Sequence, residues 1–234
     1  MWVRVPSLVQ QIKINMIDYE EHILYCLEKA ENGESKLNDS DESPLITNNK
    51  INGLIGIKTQ HFYNNLLSID NTRYLEIGCW QGCSTFSAAY KNNCNISVID
   101  NWSEFGGKKE FQNNLELYRG NNTIDVYDED SFLMDVTKLP KFNIYMYDGD
   151  HSIVSQYSAL TYYIHNLDDY FIYVVDDWNW RDVRTGTFLA IQDLKLKTLF
   201  SKEIRLTDDN THTPHDIAYN DWWNGIGIFV LSKV

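Results

Sequence analysis

Apolar and aromatic runs of strand length alternate along the chain with stretches of helical period and with polar turns. This alternation predicts an α/β fold, because buried parallel strands are continuous apolar runs and helices connect them. Phe142–Tyr147 is the clearest such run. The predicted strands are Arg73–Ile77, Ile96–Asp100, Thr123–Tyr127, Phe142–Tyr147, Phe171–Val175, Lys197–Leu206 and Ile226–Leu231, the last two as an antiparallel pair.

Stretches of helical period precede and connect these runs. The predicted helices are one or two within Ser7–Ala30, then Thr59–Leu67, a helix from about Ser84, Lys108–Tyr118, Ile153–Asn166 and one that ends at Leu194. Glu31–Ser43 is polar, acidic and contains Gly33, so it is predicted to be a mobile loop. We therefore expect an N-terminal helical segment over residues 1–70, with an acidic loop at 31–43, and one α/β domain over residues 71–234.

A long polar and aromatic segment, Thr207–Gly225, separates the last two predicted strands. A loop of this length in a compact domain is usually functional or disordered. Trp222 and Trp223 favour a functional loop, because aromatic faces pack on the apolar faces of sugars and bases.

The formal net charge of −13 changes the range of expected partners. Nucleic-acid binders need clustered Lys and Arg, so no nucleic-acid partner is expected, whereas a small nucleotide ligand is compatible with this charge. No apolar run approaches the ~18–20 residues of a membrane span, so no membrane partner is expected. The four cysteines show no zinc-site spacing, which favours a reduced compartment and a cytoplasmic protein.

Two of the predicted strands end in acids. Phe142–Tyr147 runs into Asp148-Gly149-Asp150-His151, and Phe171–Val175 runs into Asp176-Asp177. Ligands bind at the carboxyl ends of strands in open α/β sheets, so these acids could share one divalent cation. An Asp pair also caps helices and a lone Asp also forms turns, but matched positions on two strands favour a shared site. Since neighbouring side chains on a strand point in opposite directions, the pair must lie where its strand has already turned.

A glycine-containing turn of the pattern E-x-G-x-x-x-G follows the first predicted strand. Glycine lets the backbone turn tightly and approach a ligand, and the next helix offers free N–H groups at its amino terminus. The spacing is not G-x-G-x-x-G, which weakens a dinucleotide-binding interpretation. An acid at the start of the turn would repel a pyrophosphate but suits a cationic amino-acid group. The cofactor contacts predicted here are Glu76, Gly78, Trp80, Gly82, Ser84 and Thr85.

Further cofactor contacts are predicted on either side of this turn. Asp100 ends the second strand about twenty residues past it, where a carboxylate commonly holds ribose hydroxyls. Trp102 is placed to pack either beside an adenine or in the core. Asp130, with Ser131, could accept from an adenine amino group or cap a helix. In the helix before the first strand, His61 is the best candidate for a ligand contact.

Together these features resemble the class I S-adenosylmethionine-dependent methyltransferases over about residues 74–234. LEIGCWQG looks like the first motif of that family, and ISVID looks like its ribose-binding acid. The resemblance implies a Rossmann-like sheet, mostly parallel with a final antiparallel strand and helices on both faces. It also implies S-adenosylmethionine as the cofactor.

A narrower resemblance is to metal-dependent sugar O-methyltransferases, including those that act on macrolide and aminocoumarin sugars. Those enzymes place one Asp after strand four and an acidic pair after strand five around a magnesium ion, which Asp148, Asp176 and Asp177 match. The base of the family follows the first ligand by two or three residues, and Asp150 and His151 occupy both positions. All-oxygen ligation favours Mg²⁺ or Mn²⁺ over zinc.

The resemblance implies methyl transfer from S-adenosylmethionine to a hydroxyl of a sugar or glycan. Two alternatives stay open: a catechol-like acceptor, and a catalytically silent domain that binds the cofactor or a glycan. The strings IDNWSEFGG, YMYDGDH and VVDDWNW also look like methyltransferase-like proteins of large DNA viruses, and a viral member would act in the host cytoplasm. A homo-oligomer is compatible with the sequence. The residues expected to contact the acceptor are Trp178, Arg181, His212, Trp222 and Trp223.

Overall fold

A computed structural model describes residues 18–234, so the start of the predicted helical segment Ser7–Ala30 lies outside the described residues. Seven strands form one sheet. They are β1 (Arg73–Ile77), β2 (Asn95–Ile99), β3 (Thr123–Tyr127), β4 (Phe142–Tyr147), β5 (Leu167–Val175), β6 (Lys197–Ile204) and β7 (Ile226–Ser232). Their order is β3-β2-β1-β4-β5-β7-β6, and β7 runs antiparallel to both neighbours while all other pairs are parallel. The predicted mostly parallel sheet and its antiparallel last pair are therefore confirmed.

Helices cover both faces of this sheet. They are α1 (Tyr19–Glu31), α2 (Ile57–Leu66), α3 (Cys83–Ala89), α4 (Lys108–Tyr118), α5 (Ile153–Tyr163), α6 (Arg181–Asp193) and the short α7 (His215–Ala218). Alternate strand residues enter two separate hydrophobic clusters, because successive side chains of a strand point to opposite faces. Tyr74 belongs to the cluster under α1 to α4, and Leu75 to the cluster under α5 and α6.

The N-terminal helices share their core with the sheet. Residues of α1 and α2 lie in the same hydrophobic cluster as residues of β1, β4 and β7. The Asn64 side chain of α2 donates to the carbonyls of Ser87 and Tyr90 at 2.8 and 2.9 Å. Over the described residues, the expected boundary at residues 70 and 71 therefore falls inside one continuous core. Among the helices of residues 18–234, none is both long and apolar enough to cross a membrane.

Two segments differ from the sequence expectation. β5 begins at Leu167 instead of Phe171, and Asp168 within this extension forms an ion pair with Arg73 of β1 at 2.6 Å. The acidic residues of this extension interrupt the apolar run, so the sequence pattern did not predict that the strand begins here. The acidic segment Glu31–Ser43 packs on the protein instead of forming a purely solvated loop, since Leu37 is buried and the Ser35 hydroxyl bonds the His61 ring at 2.8 Å.

The strand order reverses at the centre of the sheet. β1 has β2 on one side and β4 on the other, so the order reverses between β1 and β4. In open α/β sheets the crevice at such a reversal is the usual ligand site. The glycine turn after β1 and the acids after β4 both emerge there.

Candidate active site

Three side chains that can bind a metal converge at the carboxyl ends of β4 and β5. One oxygen each of Asp148 and Asp177 and one ring nitrogen of His151 lie within 4.8 Å of one another. The backbone N–H of Asp148 donates to the carbonyl of Ile77 at 2.9 Å, which fixes this acid beside the end of β1. The structure therefore brings together acids from two strand ends that are far apart in the chain.

The backbone turns between the two acids that follow β5. Asp177 has a φ of 55°, in the left-handed region that Asp tolerates better than most residues. Asp176 is buried, as Asp177 is, but its Oδ1 atom has no hydrogen-bond partner within residues 18–234. The strand has turned at Asp177, as the sequence required, and this residue rather than Asp176 joins the cluster with Asp148 and His151.

Negative charge is concentrated in this cluster. Burial, and then the charge of Asp177, raises the pKa of Asp148 to about 8, although this side chain keeps some contact with solvent. Burial, followed by the charges of Asp148 and Asp177, raises the pKa of Asp176 well above its ordinary value. Carboxylates in such a site stay ionised only when a cation or hydrogen-bond donors compensate them. By charge and by donor type, the residues present fit a divalent cation.

The structure separates the two candidates for the proton-accepting group. Asp150 is exposed and its Oδ1 accepts the backbone N–H of Ser152 at 2.9 Å; the hydroxyl of Ser152, and then this N–H, lower the pKa of Asp150. His151 Nε2 lies 2.7 Å from Asp177 Oδ2, at angles that do not make a hydrogen bond. Burial by itself would lower the pKa of His151, but Asp177 and the neighbouring acids raise it. His151 therefore belongs to the acid cluster, and Asp150 lies outside it.

The glycine turn contacts the acid cluster directly. Gly78 has a φ of +86°, and a Cβ atom there would lie 1.8 Å from the carbonyl oxygen of Asp148, so only glycine fits. Next to it, Glu76 is buried and accepts from the Ser84 hydroxyl, but its Oε2 finds no hydrogen-bond partner in the described part of the chain. Burial, opposed by that hydroxyl, raises the pKa of Glu76 to about 7.

Asp100 ties the glycine turn to the loop after β2. Its two carboxylate oxygens accept the backbone N–H groups of Trp80 and Trp102 at 2.8 and 2.7 Å. Both tryptophans have positive φ, and the Trp102 ring donates to the carbonyl of Trp80 at 2.7 Å. Trp102 is buried against Phe111, so of its two expected roles the structure shows the core one.

Similarity to solved structures agrees with this topology, whereas no protein-family model and no curated protein matches the chain. A protein described as an S-adenosylmethionine-dependent methyltransferase from Streptococcus mutans aligns with a TM-score of 0.51 at 13% identity, over 75% of this chain and 48% of that one. An rRNA methylase from Streptococcus thermophilus gives 0.50 at 8% identity over 76% and 96%. Precorrin-6y C5,15-methyltransferase from Geobacter metallireducens gives 0.50 at 12% identity over 75% and 87%.

The chain has the class I methyltransferase fold. At these identities the similarity establishes the fold alone, and it spans about half the length of the Streptococcus mutans protein. What this methyltransferase fold does here therefore depends on its own side chains. The acid cluster and the glycine turn lie together at the reversal between β1 and β4.

Several predicted contacts lie elsewhere in the methyltransferase fold. His61 bonds Ser35 and lies near Gly33, and burial lowers its pKa to about 4. Trp178 is completely buried and donates to Glu203 at 2.8 Å. His61 therefore anchors the acidic segment instead of a cofactor, and Trp178 belongs to the core instead of an acceptor site.

The tryptophan pair of the long loop is also buried. Trp222 packs edge-on against Phe62 and donates to Glu31 at 2.8 Å, which joins the loop to α1 and α2. Trp223 packs against Tyr219, with ring centroids 4.9 Å apart. Their apolar faces stabilise the loop and are not open to a sugar.

The acids after β3 form local structure. Asp130 is exposed, and its Oδ1 accepts the backbone N–H of Phe132 at 2.9 Å within a turn, so it does not cap a helix. The Ser131 carbonyl accepts from the Tyr163 hydroxyl. Neither contact blocks a ligand, so the expected adenine contact stays a prediction.

Trp180 is the tryptophan that borders the acid cluster, and the sequence interpretation missed it. Its ring is half-buried and meets the rings of His151 and His212 edge-on, with centroids 4.3 and 4.8 Å away. His212 therefore lies beside the site as expected. Arg181 follows Trp180 at the exposed start of α6.

Two further residues face the cluster without a recognisable motif. Tyr63 of α2 is buried, and burial, followed by the charges of Asp176 and Asp148, raises its pKa well above the ordinary value. Asn224 is buried and donates to Asp177 Oδ1 at 2.7 Å. No pattern in the sequence marks either residue.

Proposed function

We propose that this chain is a metal-dependent O-methyltransferase that moves a methyl group from S-adenosylmethionine to a hydroxyl of a sugar or glycan. The observation that supports it best is the contact between the glycine turn and the acid cluster. Gly78 packs against the main chain of Asp148, whose carboxylate faces Asp177 and His151. A methyl donor in the turn would thus lie next to a group of metal-binding side chains.

The glycine turn has the chemistry to hold the amino-acid end of the cofactor. When bound, S-adenosylmethionine supplies an electrophilic methyl group. Glu76 Oε2 is a buried acceptor without a partner in residues 18–234, and an ammonium group would satisfy it. Asp100 already accepts two backbone N–H groups, and a carboxylate has lone pairs left for ribose hydroxyls.

Asp148 and Asp177 are the carboxylates that would hold a divalent cation, with Asp176 buried behind them. When bound, the cation supplies a positive charge that acidifies and orients a coordinated hydroxyl. Carboxylate oxygens select Mg²⁺ or Mn²⁺ among the common ions. Burial, followed by the charges of neighbouring acids, raises the pKa values of Asp148 and Asp176, and such an ion would favour their ionised forms.

His151 is the residue that would take the hydroxyl proton, with its Nε2 atom facing Asp177. Asp177 Oδ2, 2.7 Å away, would then stabilise the imidazolium. The half-buried Trp180 ring, between His151 and His212, offers an aromatic surface beside that proton acceptor. A pyranose combines an apolar face with neighbouring hydroxyls, so it matches both the ring and the acids.

Turnover assays with labelled S-adenosylmethionine and Mn²⁺ test the proposal. We expect methylation of a panel of glycosides or nucleotide-linked sugars, and its loss on chelation with recovery on adding Mn²⁺. Methylation of catechols alone would show that the acceptor is a small diol and not a sugar. Cofactor binding without turnover on any acceptor would indicate a catalytically silent domain. Full turnover after chelation would show that the reaction does not depend on a metal.

Both the stability of the protein and its affinity for the cofactor should depend on pH through Glu76. Because its pKa is raised to about 7, the neutral carboxyl contributes stability that is complete below the unfolded pKa and is lost as pH rises through about 7. An ammonium ligand needs the ionised form, so cofactor affinity should fall up to about tenfold per pH unit below 7. Glu76→Gln should bind roughly 10–100-fold more weakly at pH 8, the loss expected for one charged hydrogen bond.

Titration calorimetry with the demethylated cofactor from pH 6 to pH 8 measures the pH dependence of cofactor affinity and the loss of affinity in Glu76→Gln. Glu76→Gln should show a flat pH profile over this range. Ser84→Ala, which removes only the hydroxyl donor to Glu76, should keep the pH dependence and shift its midpoint upward. A wild-type affinity that does not change with pH would show that Glu76 does not meet the ammonium group.

A further inference from the structure

Asn224 lies at the end of the long loop and touches both the acid cluster and the residues beside it. The side chain is 1% exposed. Its Nδ2 atom is 2.7 Å from Asp177 Oδ1 and 3.0 Å from His212 Nδ1, while its Oδ1 is 3.0 Å from the backbone nitrogen of Thr213. One amide therefore contacts a cluster acid, an imidazole and the loop backbone.

The hydrogen-bond donors around Asn224 fix the direction of its amide. A backbone N–H can only donate, so the atom that faces Thr213 must be the carbonyl oxygen of the amide. The NH₂ group then faces Asp177 and His212 and donates one hydrogen to each. His212 Nδ1 must accept, which leaves the proton of the neutral ring on Nε2.

The backbone around this amide is anchored from the opposite side by Asn179. Asn179 is completely buried, and its backbone N–H donates to the Asn224 carbonyl at 2.8 Å. Its side chain accepts from Leu206 at 2.8 Å and donates to Thr213 Oγ1 at 3.0 Å. The loop is thus attached at both ends to the turn that carries Asp177.

Asp177 needs such support because its own backbone is in the left-handed region, at a φ of 55°. One of its oxygens, Oδ1, is occupied by Asn224, and the other, Oδ2, faces His151. Rotation of this carboxylate would break the bond to Asn224 and move Oδ2 away from His151. Outer residues that orient a ligating carboxylate in this way typically change metal affinity or activity by about 10–100-fold.

We propose that Asn224 is a positioning residue: its amide sets the orientation of Asp177 and the tautomer of His212, and so couples the loop of residues 207–225 to the reacting centre. This inference rests on the proposed methyl transfer for its kinetic consequences, but the tautomer does not depend on activity. Asn224 itself is placed to touch neither the cofactor nor the acceptor.

The decisive variant is Asn224→Asp, which keeps the size of the side chain and its acceptor toward Thr213 but removes both donors. Asn220→Asp is the matched control, since Asn220 lies in the same loop, is exposed, and its side chain donates to the Asp216 carbonyl at 2.8 Å, away from the acid cluster. Both changes add one negative charge. Each variant is compared with the wild type by imidazole ¹⁵N spectra, by Mn²⁺ affinity and by kcat and KM.

In the wild type we expect His212 Nδ1 to be unprotonated, and in Asn224→Asp to carry a proton that it donates to the new carboxylate. In Asn224→Asp we expect a roughly 10–100-fold loss in kcat or Mn²⁺ affinity, and in Asn220→Asp no change in either. Wild-type Nδ1 found protonated would overturn the inference, and this measurement needs no variant to fold. An Asn224→Asp protein as active as the wild type, with equal Mn²⁺ affinity, would also overturn it. A wild type without turnover or Mn²⁺ binding would instead refute the proposed function, together with the kinetic part of this inference.

Discussion

Replacing Asp148 with Asn is expected to lower methyl-transfer turnover by roughly 10³-fold, because the charge of a coordinated cation is worth several kcal/mol to the reaction. Asn is isosteric with Asp but is a weaker, neutral ligand. Mn²⁺ affinity should fall in parallel. Cofactor affinity should stay close to that of the wild type, because the Asp148 contact with the glycine turn is made by its backbone carbonyl. Turnover assays, Mn²⁺ titration and calorimetry with the demethylated cofactor measure the three quantities.

Two neighbouring variants show whether this loss is specific. Asp150→Asn should keep turnover within a few-fold of the wild type, because its carboxylate is exposed and bonds Ser152. His151→Gln should lose about 10²–10⁴-fold, the usual contribution of a general base, while retaining Mn²⁺ binding. If Asp150→Asn were the inactive variant, the assignment of the base would be reversed. If Asp148→Asn stayed active, the acid cluster would have no catalytic role.

The sheet could be predicted from the sequence because its information is local. Each central strand is an apolar run that ends at a polar residue, and β1, β3 and β4 have the predicted bounds. The acids at the ends of β4 and β5 could be placed together for the same reason, since parallel neighbours end at one edge of a sheet. Where acids lie inside a strand, as in the first residues of β5, the pattern fails.

The surroundings of the site could not be predicted in the same way, because they depend on backbone turns and on pairing across the chain. Which tryptophan of the WNW string is buried is decided by the left-handed turn at Asp177, and a non-glycine residue gives no sequence signal for such a turn. Asn224 reaches Asp177 across 47 positions of sequence through a loop without a motif. Trp222 and Trp223 have the composition of a binding loop but lie in the core.

Trp178 and Trp180, which both follow Asp177 in the turn, are expected to differ in their effects when each is replaced by Ala. Trp178 is completely buried, packs against Phe188 and Phe229 and donates to Glu203. Trp178→Ala should therefore lower the free energy of unfolding by about 3–5 kcal/mol, or the midpoint of thermal unfolding by roughly 10 °C. Calorimetry or circular dichroism on heating measures this loss, and Phe188→Ala, a half-exposed neighbour, should lose less.

Trp180→Ala should lower thermal stability less than Trp178→Ala does, and should raise the acceptor KM roughly tenfold, because about 1.5 kcal/mol of aromatic contact is lost from the site. Its half-buried ring packs against the hydrophobic cluster under α5 and α6 and meets His151 and His212 edge-on, and part of it is open to solvent. The two changes thus separate folding from recognition within three residues of chain. A stable Trp178→Ala protein with a raised acceptor KM, beside a Trp180→Ala protein with normal kinetics, would exchange the roles assigned to the two rings. It would also place the acceptor beside Trp178 instead of Trp180.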